Sequence, residues 1–412
     1  MNILQQLLWP YPAEQFLNQD WQHKGLHIAA DDPGKFHSLF SWDALNYLLN
    51  YHKLPESDLR FSKEGKSLPH SRDPRDWGDR LRDGATLVVN GVHHRIPSVA
   101  KLAGHLRDDF GYETHVNLYC SPASQQGFDC HYDTHDVLIL QIEGEKKWFV
   151  YQETVPDPTR NMPSSEELKP QQPPYLECVL QAGDLLYIPR GHWHYAIACE
   201  QPSLHLTVGI EAQTGLDWLD WLKNELQNSE AWRVRLPAIE ENNQNALEQQ
   251  LNSLRQHLIE VLDQPEFMHR FIQQLGHRNY PPLPVSLPAQ IGAGIFPNLL
   301  MTRYAWSPLH RIRVKQLNDQ HYQVKIGSKQ FDLKGIPEAL IENIFNQDEF
   351  CLIDLADWAP DLDLEVDIEP LLKHLVFEGV LQVKTDCDLH CSEIFENISG
   401  FKPIAHTSNC FD

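Results

Sequence analysis

From residue 114 onward, apolar residues recur at every second position. THVNLYC (114–120), VLILQI (137–142), KKWFVY (146–151), YLECVLQ (175–181), LLYIP (185–189), HYAIAC (194–199) and SLHLTVGI (203–210) read as short strands. Glu143-Gly144-Glu145 and Ala182-Gly183-Asp184 supply turns between them, and the proline-rich stretch 152–174 reads as a loop. Short antiparallel strands with turn signals between them predict a closed barrel or a double-sheet jelly roll. Upstream, residues 1–60 read as helices and loops and 61–85 as a polar, charge-rich stretch. ATLVVNGV (85–92) is a strand ending in Asn-Gly, and VAKLAGHLRDDFG (99–111) has helical spacing and a terminal glycine.

The period changes again at Gly215. LDWLDWLKNEL (216–226) is an amphipathic helix, and Leu247, Leu251, Leu254, Leu258 and Leu262 mark a longer one at spacings of three and four. These apolar stripes exceed what so short a helical segment can bury alone, so it is expected to pack on the barrel or on a second copy. NYPPLPVSLP (279–288) reads as a linker. The last region alternates strands and helices and ends in a late strand, LQVK, a pattern compatible with a winged helix. The predicted organisation is α+β: a jelly-roll, cupin-like barrel over residues 1–214, a helical segment over 215–280, a small winged-helix-like domain over 285–385 and a tail over 386–412.

Charge narrows the function. With 34 Lys and Arg against 57 Asp and Glu the chain carries −23, which opposes a phosphate backbone and favours metals or basic polypeptides. Between Gly335 and Leu372 there are eleven acidic residues and no Lys or Arg. The winged-helix-like region is therefore expected to pack or dock, not to read DNA as a transcription regulator. No window approaches the apolar length of a transmembrane helix. The opening residues lack a basic segment and a cleavage site, so the expected address is the cytoplasm. Eight scattered cysteines are expected to be reduced.

The candidate chemistry lies in NLYCSPASQQGFDCHYDTHDVLILQIEGEKKWFVY (117–151) and GDLLYIPRGHWHYAIA (183–198). His131 and Asp133 stand two apart, so an extended backbone points both to one side. His194 lies on a strand that a barrel returns opposite them. Two imidazoles and one carboxylate with open positions make the facial triad of non-haem Fe(II) oxygenases. Lys146 starts the strand paired with VLILQI and reaches into the same barrel, and Ser203, His205 and Thr207 alternate on one strand face. A buried cation beside a metal triad calls for an anionic organic ligand. 2-Oxoglutarate fits, its keto acid end on the metal and its distal carboxylate on the lysine. A zinc hydrolase or a cupin-like metal binder could use the same three ligands, but neither needs Lys146.

These motifs, with WQHKGLHI (21–28) and RDGATLVVNGV (82–92), resemble those of the JmjC-domain oxygenases, most closely the ribosomal-oxygenase group of protein hydroxylases. The resemblance runs from about Phe16 to Ile210. It implies that His131, Asp133 and His194 hold Fe(II), with His194 preferred over its neighbour His192. It further implies that Lys146 pairs with the distal carboxylate of 2-oxoglutarate and that Asn117 and Ser203 line the cosubstrate pocket. Similar enzymes hydroxylate an Arg or His side chain of a ribosomal protein; removal of an N-methyl group from lysine is the alternative outcome of the same chemistry. They also dimerise through a helical segment and carry a winged-helix domain, so a homodimer acting on a basic polypeptide is expected. The run Thr134-His135-Asp136 departs from the family pattern and puts a polar, titratable pair beside the ligands. The tail after Lys384 has no clear counterpart.

Overall fold

The computed structural model describes residues 3–384 except 72, 239–243, 279–282, 308, 311, 328 and 348. The chain divides into two compact units, Met1–Tyr280 and Pro281–Asp412. The predicted tail 386–412 and part of the predicted linker lie outside the described residues.

The first unit contains eleven described strands: β1 (Leu26–Ile28), β2 (Leu59–Lys63), β3 (Lys66–Ser67), β4 (Thr86–Val89), β5 (Glu113–Ser121), β6 (Asp136–Glu143), β7 (Lys146–Val150), β8 (Leu176–Leu180), β9 (Leu185–Ile188), β10 (His194–Ala198) and β11 (Ser203–Glu211). They form an antiparallel sheet in the order β1-β9-β6-β11-β5-β4-β2-β3 and a second one in the order β10-β7-β8. This is the cupin-like double sheet that the alternating pattern predicts. The regions read as helix, loop or polar stretch also supply strands: β1 pairs with β9, and β2 bridges β3 and β4. β1 and β3 span only three and two residues, and β2 runs into a charge-rich stretch, so none stands out as a strand in the sequence.

Alternation along the strands decides which side chains face inward. On β5, Val116, Leu118 and Cys120 join the main core, which packs against helices including Ile3–Leu8 and Pro97–Phe110. The other face of β5 carries His115, Asn117, Tyr119 and Ser121, by the period of two. The Pro97–Phe110 helix starts with proline in its first turn and stops at Gly111. The two sheets enclose a smaller core of Val137, Ile139, Trp148, Val150, Leu180, Leu186 and Ile188. The β6–β7 turn needs Gly144. Its φ is +67°, and a Cβ there would stand 2.1 Å from the Pro202 carbonyl oxygen.

Helices Gly215–Leu226, Gln244–Leu262 and Phe267–Arg278 follow the barrel. They have a small core of their own: Trp221, Leu222, Leu226 and Phe267, with Leu258 and Leu262 against it. No residue of Gln244–Leu262 is fully buried, and Leu216, Leu219, Met268 and Ile272 are each at least half exposed.

The second unit holds β12 (Arg303–Trp306), β13 (Ile312–Asn318), β14 (His321–Ile326), β15 (Lys329–Lys334), β16 (Glu349–Cys351) and β17 (Leu381–Lys384). They make two three-stranded sheets, β16-β12-β17 and β13-β14-β15. Helices Glu338–Asn346, Leu352–Trp358 and Glu369–Phe377 share its core with Tyr304, Val324 and Ile326. Among the described residues no helix is long and apolar enough to cross a membrane.

Candidate metal centre and cosubstrate cavity

A cavity of about 250 Å³ opens between the two sheets. His131, Asp133 and His194 lie in its wall, each with a ligand atom within 4.8 Å of the others. The backbone explains why they meet. His131 N–H donates to the His194 carbonyl at 3.1 Å and His194 N–H to the His131 carbonyl at 2.7 Å, a reciprocal pair outside the named strands. Gly191 N–H donates to the Asp133 carbonyl at 2.9 Å, tying the turn before His194 to the carboxylate segment.

Hydrogen bonding orients the imidazoles. His131 Nδ1 lies 2.7 Å from the Asp129 carbonyl and His194 Nδ1 lies 3.0 Å from the His192 carbonyl. A carbonyl can only accept, so Nδ1 carries a proton on both rings and Nε2 is the nitrogen left to face the cavity. His194 Nε2 stands 3.6 Å from Asp133 Oδ2, and the two rings are 4.6 Å apart. Burial, reinforced by His131, pushes His194 down to about 4. Burial works to raise the Asp133 carboxyl, but the surrounding imidazoles of His135, His131 and His194 prevail and hold it at about 2. Two neutral imidazoles and an ionised carboxylate are the donor set that Fe(II) takes at neutral pH. His192 stays out of this set: it is not among the residues that line the cavity, and its Nδ1 is bonded to Tyr175 Oη at 2.8 Å. Asp136 also turns away, accepting from Tyr187 Oη at 2.6 Å.

Lys146 lies in the same wall, and only 4% of it is exposed. Its Nζ donates to Ser121 Oγ at 2.9 Å, and among the described residues no carboxylate pairs with it. Burial pushes its pKa down to about 8. Two more buried groups of this wall have no hydrogen-bond partner, Trp148 Nε1 and His205 Nδ1. Burial, then Lys146, holds His205 well below its ordinary pKa. A cavity that ends in an unpaired lysine and orphaned ring nitrogens fits a carboxylate ligand. The residues present thus fit both a divalent metal and an anionic cosubstrate.

Two residues expected in the pocket are not among those that line this cavity. Asn117 does not line the cavity; its Oδ1 accepts from Gly91 N–H at 3.0 Å and braces the turn after β4. Ser203 is fully buried but outside the lining, where its Oγ accepts from Gln141 Nε2 at 2.9 Å. Both are committed to internal bonds. Tyr119, Trp148, His205 and Arg60 take their place in the wall. Tyr119 stacks on His205 with centroids 5.0 Å apart and planes 3° from parallel. Alternation from Asn117 to Tyr119, and from Ser203 to His205, was the available signal.

Residues 95–218 match the JmjC domain family model. The match covers that stretch of the barrel, and the resemblance seen in the motifs extends to individual proteins. It is 31% identical over 222 residues to the Drosophila melanogaster protein named bifunctional lysine-specific demethylase and histidyl-hydroxylase NO66, covering 51% of this chain and 34% of that one. It is 32% identical over 231 residues to ribosomal oxygenase 1 of Gallus gallus, covering 53% and 38%. The chain thus spans about a third of the length of the curated relatives it matches. Among solved structures, Escherichia coli ycfD superposes with a TM-score of 0.57 at 18% identity, over 91% of this chain and 98% of that one. A structure of the same protein, described as a ribosomal oxygenase in complex with cobalt and 2-oxoglutarate, gives 0.56 at 18% identity over 90% and 98%. At that identity the likeness establishes the fold.

Proposed function

We propose that this chain is an Fe(II)- and 2-oxoglutarate-dependent dioxygenase that hydroxylates an Arg or His side chain of a basic polypeptide, with a ribosomal protein as its target. The observation that carries the reading is the joint content of one cavity: two imidazoles held with Nε2 free, an ionised Asp133 beside them, and a buried Lys146 with no anion. The names of the relatives, ribosomal oxygenase and histidyl-hydroxylase, and the cobalt and 2-oxoglutarate bound in the E. coli structure support the same chemistry.

In this reading His131, Asp133 and His194 hold the metal, and iron with 2-oxoglutarate supplies the oxidising power for attack on an unactivated C–H bond. Lys146 fixes the distal carboxylate, with Ser121 holding its ammonium in place. Trp148 Nε1 and His205 stand ready to bond the same acid. Val137, Ile139 and Ala196 give the cavity apolar wall that excludes water. A hydrolase or a metal-storing cupin leaves Lys146 without a purpose.

The test is mass spectrometry of ribosomal proteins incubated with the enzyme, Fe(II) and 2-oxoglutarate. A gain of one oxygen on an Arg or His, matched by succinate, is expected. Loss of a methyl group from lysine would establish the demethylase reading, which the relatives' bifunctional name supports. Succinate without any modified polypeptide would refute both.

The exposed apolar positions on the helices of 215–280, among them Leu216, Leu219, Met268 and Ile272, support a homodimer. Light scattering near the monomer mass at micromolar concentration would refute it. The small sheets and acidic helices of 285–385 are read as a winged-helix-like docking domain without nucleic-acid affinity. The cytoplasm is the proposed location.

A further inference from the structure

A second group of ligand-type side chains lies on the inner face of the barrel, and the oxygenase chemistry makes no use of it. His115 on β5, His135 just before β6 and Glu211 at the end of β11 each bring a ligand atom within 4.8 Å of the others, and all three are partly buried. The alternation of β11 carries Ser203, His205, Thr207, Gly209 and Glu211 along one face. His205 and Thr207 line the cavity, so the cluster continues that wall. It lies toward the opposite end of β5 from Ser121, which receives Lys146.

Three observations point to a cation. Each imidazole Nδ1 stands 3.9 Å from Glu211 Oε1. That is too long for a hydrogen bond; ligands that each sit roughly 2.0–2.2 Å from one tetrahedral ion stand about 3.4 Å apart, so a closure of a few tenths of an ångström would seat one. Gly209 faces His115 across the β5–β11 register. A Cβ on it would stand 2.3 Å from His115 Nε2 and 2.8 Å from His135 Cδ2, so the strand gives up a side chain to seat both rings. Finally, Arg160 Nη2 holds Glu211 Oε2 at 3.1 Å, which leaves Oε1 turned to the imidazoles. A carboxylate held through one oxygen is an oriented ligand through the other.

We propose that His115, His135 and Glu211 form a second metal site, separate from the triad, that takes a divalent transition metal, zinc being its ordinary occupant. Two His and one Glu are the protein ligands of zinc sites that keep a further position open. That position takes water or a donor group of an incoming polypeptide. The proposal does not rest on the oxygenase reading: none of the three residues is among the metal ligands or cosubstrate contacts assigned there.

The test counts metal. The full chain is stripped with a chelator, dialysed against zinc sulfate alone, and its zinc per chain measured by plasma mass spectrometry. Two zinc ions are expected for the native sequence and one for the triad variant His131→Ala/Asp133→Ala. Adding Glu211→Gln to that variant is expected to remove the remaining ion or weaken its binding at least tenfold. His115→Asn in the same background repeats the comparison should the first combination fail to fold, as judged by thermal melting without metal. A triad variant that binds no zinc, or one whose zinc count and affinity do not respond to Glu211→Gln and His115→Asn, overturns the proposal.

Discussion

At one end of the cavity two imidazoles and a carboxylate converge, each imidazole tied through Nδ1 to a backbone carbonyl. At the other, a single lysine is enclosed with one hydroxyl for company. The first end is rich in lone pairs and holds its donors by reciprocal backbone bonds between residues 131 and 194. The second has a charge to spare and spends fold stability to keep it, since burial pushes Lys146 down to about 8. Neither end makes sense as a device for stability. Together they describe a ligand with a chelating end and an anionic end, lying along one axis between the two sheets.

Breaking the metal end should have the largest effect. Asp133→Ala is expected to abolish succinate formation while the fold persists, because the core residues of the two sheets do not depend on it. His194→Ala is expected to do the same and His192→Ala to spare turnover, measured by succinate release. Retained turnover in Asp133→Ala would remove the triad assignment. Breaking the other end comes next. Lys146→Ala should raise KM for 2-oxoglutarate by roughly thirtyfold or more, the equivalent of at least about 2 kcal/mol for a truncated buried charge pair. Iron affinity should change little, and metal titration alongside the kinetics separates the two.

Smaller effects sharpen the contrast. A chain at −23 attracts a basic polypeptide from a distance. Its kcat/KM for that substrate should fall about tenfold between low and physiological salt while kcat stays nearly constant. A salt-independent kcat/KM would remove electrostatics as a guide to the target. The smallest expected effect is on pH. Lys146 in the free cavity is charged below about 8 and neutral above it, so KM for 2-oxoglutarate should be flat in the acid range and rise above that point. Between about pH 7.5 and 8.5 the charged fraction falls about threefold, and KM should rise by that factor. A fall in KM over the same interval would contradict the role of the lysine.

Much of the metal end was legible in the sequence because its information is local. His131 and Asp133 stand at the period of a strand, and GDLLYIPRGHWH sets His194 on a strand that begins after a turn. The choice between His192 and His194 rests on which ring turns into the cavity, and that is a property of the fold. Lys146 was legible as the first residue of a strand after a turn. The pocket polar residues were not. Asn117 and Ser203 sit on the right strands but accept bonds from Gly91 and Gln141, partners 26 and 62 residues away. The His115, His135 and Glu211 cluster draws on two strands and the residue just before a third. Its most informative member is Gly209, whose role appears only once β5 and β11 are in register. β1 and β3 were missed because two or three residues cannot display a period, and β2 because it runs into a charge-rich stretch.

The most direct test of the bipolar cavity is calorimetric titration of 2-oxoglutarate, without oxygen, into the protein with and without Mn(II) as a stand-in for iron. The account expects tight binding only when metal is present, weakened binding with metal in Lys146→Ala, and equally poor binding with and without metal in Asp133→Ala. Binding that ignores the metal, or that survives both substitutions unchanged, would contradict it.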